Sequence, residues 1–319
     1  MNAKRMVLIF CAIVAVATVA GGYLLWGVTG EFSDLKAEDW RNVIFIVGGL
    51  TAAMIAAWRA HVADKQTQIN EQVQITERFT RAVDLLGSEN IYMRIGALHA
   101  LERIGRDSES DVVAVLRLLS SFVRSQSVSR RMGGILLDGD DTPAPLDAEE
   151  GFAVIFRLAG EYKRLLRNRE SMIVDLSSSN LKCSLQFSKG CFFRFNFSFC
   201  NLSLGFFSES DFECANFQGA YLESSYFQDC NLTGVSFNNA ILDGVNFGNA
   251  DMTRAILLTA VCNRTNFSTA KNLTTKMLKD IIYDAETPPR VPDGVTLPPP
   301  EEKRQNLSGK APAAARSDA

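Results

Sequence analysis

From Phe187 to Phe267 a large residue returns at every fifth position, and fifteen of the seventeen are Phe or Leu. The series is Phe187, Phe192, Phe197, Leu202, Phe207, Phe212, Phe217, Leu222, Phe227, Leu232, Phe237, Leu242, Phe247, Met252, Leu257, Cys262 and Phe267. Two residues ahead of each sits a small side chain, as at Ala215, Ala220, Ala240, Ala250, Ala255 and Ala260; Leu185 and Phe195 are the misfits. Between the two stands, in many pentads, Asn or Asp: Asn216, Asn246, Asp251, Asn266. A period of five is neither the 3.6 of a helix nor the 2 of a flat strand. A chain that turns one corner per pentad points every fifth residue inward, and four corners close a coil after twenty residues. At that spacing Phe187, Phe207, Phe227, Phe247 and Phe267 form an unbroken ladder, and Leu202, Leu222 and Leu242 form a second. Like stacked on like, coil on coil, is the core of a solenoid. At about 4.8 Å per coil the run is roughly 22 Å long.

These pentads resemble the pentapeptide-repeat family, whose pattern is A(D/N)LXX. The resemblance covers about a third of the chain and implies a right-handed quadrilateral β-helix over 174–272. The run opens with Val174–Leu176 and Ser179–Leu181, and a one-residue slip before Phe187 implies an irregular first coil. The stretches ERFTRAVDLLGS, RIGALHALERIGRDS, LLSSFVR and PLDAEEGFAVI resemble the helical region that precedes the repeats in a large bacterial subgroup, some of whose members are membrane-anchored.

Residues 7–28 are uncharged and mostly apolar, and at 1.5 Å per residue they reach roughly 33 Å, enough to cross a bilayer. A second apolar stretch, 42–58, reaches roughly 25 Å between Trp40 and Trp58. The expectation is a two-span transmembrane helical hairpin over 1–60. A cleaved signal peptide fits less well, because the first apolar stretch is long and a second follows. Lys4 and Arg5 before the first span, and Arg59 and Lys65 after the second, place both termini in the cytoplasm by the positive-inside rule. The localisation so implied is the inner (cytoplasmic) membrane, multi-pass. Neither span carries an acid, base or His in its apolar centre, so an anchor is expected rather than an ion path.

A helical stalk and helical domain should fill 61–168. No Gly or Pro interrupts Thr51–Leu86, and Gly87 fits a helix end. Ile69, Val73, Phe79, Val83 and Leu86 mark a rough apolar stripe. It either pairs two chains as a coiled coil, making a homo-oligomer, or packs on the helices that follow. The second is simpler, since the heptads are few. Further helices are expected over 91–104, over 112–124 behind Ser110 or Asp111, and over 148–166 behind Asp147. His99 lies near the inward stripe of its helix and reads as a packed structural residue. A capping helix over 273–285, carrying Met277, Leu278, Ile281 and Ile282, should cover the open last coil. The Pro- and Ala-rich remainder, 286–319, reads as a disordered tail.

No nucleophile elbow, P-loop or HExxH motif occurs, so no enzyme, no catalytic residue, no metal and no cofactor is expected. Seven cysteines include no CxxC pair, and no two stand twenty residues apart, so they read as small core or surface residues. Some pentapeptide-repeat proteins shield DNA gyrase as an acidic rod resembling DNA. Here the repeats carry Asp175, Glu209, Asp211, Glu213, Glu223, Asp229, Asp243 and Asp251 against Lys182, Lys189, Arg194, Arg254 and Arg264. That surplus is too small to imitate a duplex charged about every 1.7 Å. A DNA-mimicking inhibitor or protector of a topoisomerase is therefore the alternative. A membrane-anchored, non-enzymatic scaffold binding a protein partner through the β-helix flank is the main expectation. No nucleic acid is expected as a ligand. The candidate protein interface lies at outward positions that are apolar where most are polar: Tyr221, Ile241 and Val261 on one face, Phe206 and Tyr226 on the next. Glu223, Asp243 and Asn263 form their polar rim.

Overall fold

A computed structural model describes residues 37–127, 131–132, 135–136, 143–168, 174–182 and 186–300. The chain divides into two compact units, Met1–Thr76 and Glu77–Ala319. Helix α1 (Ala37–Leu86) begins in the first, and its last turns belong to the second. Then follow α2 (Ile91–Asp107), α3 (Val112–Gln126), β1 (Arg131–Met132), β2 (Ile135–Leu136), α4 (Leu146–Glu161) and α5 (Lys163–Arg167). The strands β1 and β2 make a short antiparallel pair.

The expected two-span transmembrane hairpin is overturned. Among the described residues no helix is long and apolar enough to cross a membrane. The stretch 7–28 lies outside the described residues. Residues 42–58 are the beginning of α1, which continues without a break into a polar helix. From Gly48 on, that stretch is built largely of small residues, with Gly49, Thr51, Ala52, Ala53, Ala56 and Ala57, and Arg59 follows at once. Small side chains contribute little transfer energy compared with Leu, Ile or Phe. The multi-pass inner-membrane localisation, with both termini cytoplasmic, falls with the hairpin.

In the second unit α2, α3 and α4 pack together through Leu98, Leu101, Ile104, Val115, Leu116, Leu119, Val123 and Leu158, all buried. The stripe expected on α1 splits. Leu86 is buried and Phe79 half-buried, whereas Ile69, Val73 and Val83 are exposed. Helix α2 opens on Asn90, whose side-chain oxygen accepts from Tyr92 N, as capping predicts. Asp111 stands at the N-cap of α3 but makes no cap bond; its carboxylate takes the Ser108 hydroxyl instead. Asp147 is buried inside α4, where Arg94 Nε donates to it at 2.7 Å. Glu102 is likewise buried, held by both arms of Arg157 at 2.8 Å. His99 is half exposed, 3.6 Å from Glu102 and 3.9 Å from Glu150, so the expected packed histidine is a rim residue.

The repeats form a four-sided parallel solenoid. Each coil contributes one bridge per side to the next, and the regular step is twenty residues, as in Gln186↔Phe206↔Tyr226↔Asn246↔Asn266. The first coil steps by twenty-one, as Asp175↔Asn196 and Asn180↔Asn201. This is the slip visible in the sequence. Between sides the chain turns in four residues. Phe212 O accepts from Ala215 N at 2.8 Å, with Cys214 at φ 58°, and the pattern repeats in successive pentads. Positive φ at the third residue is the requirement of a type II turn. Most of these positions carry no glycine, so each non-glycine one costs on the order of 1 kcal/mol, offset by the ladder it completes. Across coils, Phe197 N donates to Asn216 O at 2.7 Å and Asn216 N to Phe195 O at 2.9 Å.

Inside, the phenylalanine ladder stands as the spacing demands. Ring centroids along Phe187, Phe207, Phe227, Phe247 and Phe267 lie 6.2, 5.2, 5.6 and 5.0 Å apart. A parallel column, Phe197, Phe217 and Phe237, is spaced 5.0 and 5.3 Å. The small residue two places ahead is dictated by these rings. A Cβ on Gly205 would come within 2.7 Å of Phe207 Cζ, and one on Gly190 within 2.7 Å of Phe156.

Both ends of the solenoid are closed. At the N-terminal end Phe152 and Phe156 of α4 cover the first rings, with centroids 4.5 and 5.3 Å from Phe187. Ser127 O and Lys182 O complete the seam, accepting from Asn180 N and Ala144 N respectively. At the C-terminal end the expected helix over 273–285 is replaced by turns, such as Met277 N to Thr274 O and Leu278 N to Thr275 O. The open N–H groups of the last regular coil need acceptors, and an extended chain presents them where a helix has already used its own. Accordingly Cys262 N donates to Ile282 O and Phe267 N to Arg290 O. Leu278, Ile281 and Tyr283 are buried there. The tail expected to be disordered from 286 is ordered to Pro300: Arg290 bridges Asn266, and the Tyr283 hydroxyl donates to Pro298 O. Residues 301–319 lie outside the described residues.

Candidate protein-binding flank

The residue ahead of each inward ring forms the outer columns of the solenoid. Where it is Asn or Asp, its oxygen accepts the N–H two residues on, as Asn216 Oδ1 does from Gln218 N and Asp251 Oδ1 from Thr253 N. Its amide then donates to the coil before, as Asn216 to Asn196 at 3.1 Å and Asn231 to Asp211 at 2.9 Å. The Asn/Asp signal in the sequence is thus a side-chain turn and a polar ladder combined.

The five candidate interface residues stand in this same position. Tyr221, Ile241 and Val261 bridge one another in successive coils, and the column continues to Ile282. Tyr221 is only 8 % exposed, and Ile241 and Val261 are half-buried. On the adjoining side Phe206 and Tyr226 bridge directly. Their rings lie 4.8 Å apart and 4° from parallel, and they are 36 % and 39 % exposed. The structure therefore groups the five into two neighbouring columns but exposes mainly the aromatic pair. The rim is tied coil to coil: Ser203 Oγ donates to Glu223 at 2.6 Å, and Asn263 N and Nδ2 donate to Asp243 at 3.0 and 3.2 Å. Burial raises the Asp243 carboxyl above the ordinary range despite those two bonds. Phe199 and Leu204 add exposed apolar surface at turn positions, the Phe199 ring lying against Gly219.

On another side of the solenoid Lys163 and Arg167 of α5 reach Asp211 at 3.4 and 2.5 Å, and Arg167 also takes Glu213 at 3.1 Å. Burial pushes the Asp211 carboxyl up, but the Arg167 guanidinium more than offsets this and holds it below the usual range. Arg167 and Arg194 each lie 5.1 Å from the Phe193 ring. This side is already occupied by the chain's own helix. Sequence reasoning missed it, since no motif links 163–167 to 211–213.

Burial raises the Cys191 thiol and pushes that of Cys230 up to about 12, so neither is a ready nucleophile. Among the described residues no group of three His, Cys, Asp or Glu could hold a metal ion.

Residues 191–229 and 220–257 match the family model for pentapeptide repeats (8 copies). The match supports the pentapeptide-repeat family for this solenoid. Three solved structures are similar to the chain. HetL, a pentapeptide repeat protein involved in heterocyst differentiation regulation from the cyanobacterium Nostoc sp., is 20 % identical, with 40 % of this chain and 52 % of HetL covered and a TM-score of 0.26. A pentapeptide repeat protein of the Arabidopsis thaliana thylakoid lumen is 18 % identical over 32 % of this chain and 79 % of its own, with a TM-score of 0.26. QnrB1, a plasmid-mediated fluoroquinolone resistance protein, is 16 % identical over 39 % of this chain and 75 % of its own, with a TM-score of 0.21. The chain thus spans about half the length of HetL. No match is found among curated proteins.

Proposed function

We propose that the protein is a non-enzymatic scaffold whose solenoid flank binds another protein. The observation that carries this reading is the exposed Phe206–Tyr226 stack. Both positions belong to the column where Asn246 and Asn266 tie the turn in later coils, so an aromatic residue there forfeits a hydrogen bond that those coils keep. Two rigid aromatic side chains on a rigid surface are suited to anchoring a partner at low entropic cost. Glu223 and Asp243 make the rim acidic, so the fitting partner is a protein with an apolar patch bordered by Lys or Arg.

The test is a paired pull-down with the full chain and a Phe206→Lys/Tyr226→Lys variant, with thermal melting to check the fold. The expected result is one captured protein reduced at least tenfold in the variant at unchanged melting temperature. Equal capture by both chains overturns the reading. The topoisomerase alternative has a direct assay. Supercoiling by purified gyrase should be unaffected at micromolar chain, because the repeats lack the charge of a duplex.

A further inference from the structure

Helix α1 carries an exposed apolar seam among the described residues. Steps of three and four residues join Ile55, Trp58, Val62, Gln66, Ile69 and Val73. At 3.6 residues per turn these six fall within about 80° of arc, and the same spacing continues back to Gly48 and on to Thr76. The five large apolar members are between 40 % and 52 % exposed. No charged residue occupies the seam. Asp64 and Glu71 lie about 160–180° round the helix, on the opposite face. From Gly48 to Thr76 the seam runs about four heptads, the length at which such a pattern specifies a coiled coil.

We propose that this part of α1 pairs in parallel with α1 of a second copy of the chain, as a two-stranded coiled coil. The occupant follows from the chemistry of the seam. In a parallel two-fold pair every seam residue meets its own counterpart, so a single charge would face itself. None is present. Gln66, the one amide in the seam, both donates and accepts, and so satisfies its own copy across the axis. A polar residue at such a position also fixes register. The flanks agree. In this register Arg59 lies across from Met54 and Lys65 from Asn70, so like charges never meet. Two successive steps of four, Trp58 to Val62 to Gln66, make an eleven-residue interval from Ile55, which relaxes the left-handed supercoil at that point.

The experiment uses the full chain and measures mass by light scattering at tens of micromolar. The expected mass is twice the 35.1 kDa of one chain. An Ile69→Lys/Val73→Lys variant should halve it, while Glu71→Lys, on the opposite face, should leave it doubled. Lysine is a good helix former, so circular dichroism should be unchanged. Register is read separately: Gln66→Cys should give a disulfide-linked dimer under mild oxidation, and Glu71→Cys should not exceed the parent. A parent of single mass, a doubled mass that survives the seam variant, or equal cross-linking at 66 and 71 would each overturn the proposal.

Discussion

Replacing Phe227 by alanine tests the solenoid core at its centre. The ring is fully buried and touches aromatic rings above, below and beside it. Phe207 and Phe247 stack on its two sides at 5.2 and 5.6 Å, and Phe212, Phe217 and Phe237 lie at 5.3, 5.8 and 6.4 Å. Removal loses the transfer energy of the ring and leaves a cavity, about 3–5 kcal/mol together. The upper part of that range is expected, because the walls are locked. Phe227 N donates to Asn246 O and Phe207 N to Tyr226 O, so adjacent coils cannot slide inward to fill the space. For a unit of this size each kcal/mol shifts melting by about 2–4 °C, giving a loss of about 10 °C or more. Thermal melting of full-length parent and variant, followed by far-ultraviolet circular dichroism, supplies the number. A loss equivalent to less than about 1 kcal/mol would mean that the ring is not in the core and that the register is wrong.

Two further outcomes follow from the same contacts. Gly205→Ala should cost about 1–3 kcal/mol, because its Cβ would press on the Phe207 ring and stand 3.0 Å from Leu202 O; an unchanged melting temperature would refute that close approach. Glu102 is pushed up by burial, but its bond and charge contacts with Arg157 and Arg106 hold its carboxyl below the ordinary 4.5. Its folded value is therefore lower than its unfolded one, so its stabilisation is complete above about pH 4.5 and fades as pH falls through the folded value. Melting temperatures of parent and Glu102→Gln should differ most near neutrality and draw together as pH falls below about 4.5; a gap that stays constant throughout acid titration would refute the assignment.

The solenoid was legible because its signal repeats: one register error would displace seventeen residues, and none is displaced. The helix end at Leu86 was legible through Gly87, whereas α2 continues through a buried Gly105 to Asp107, three residues past its expected end. Ion pairs were not legible. Glu102 and Arg157 stand 55 residues apart, as do Arg106 and Glu161, and no local pattern connects them. The N-terminal plug was hidden for another reason. Phe152 and Phe156 stand four residues apart within the expected helix over 148–166, and nothing in that spacing says that they meet the rings of the solenoid. The C-terminal helix was misjudged because apolar spacing at Met277, Leu278 and Ile281 cannot register the demand of a coil edge for extended acceptors. The second span of the membrane hairpin was misjudged by counting uncharged residues without weighing how small those from Gly48 on are. Of the flank, the two columns were readable from position alone, but the burial of Tyr221 was not, since exposure depends on what its neighbours cover.

The closing of both solenoid ends decides how this unit can associate. A bare terminal coil offers a free ladder to the first coil of another molecule, and head-to-tail addition on such an edge has no natural stop. Here α4 occupies one edge, and residues 273–300 use up the donors of the other. Head-to-tail stacking of solenoids along the axis is thereby blocked, and one solenoid can meet another only through its flanks. Length also becomes a quantity that duplication can adjust. A twenty-residue insertion among the regular coils adds one coil, about 4.8 Å, and leaves both ends as they were, whereas an insertion that is not a multiple of twenty needs an irregular step, like the twenty-one of the first coil, to keep the columns in line.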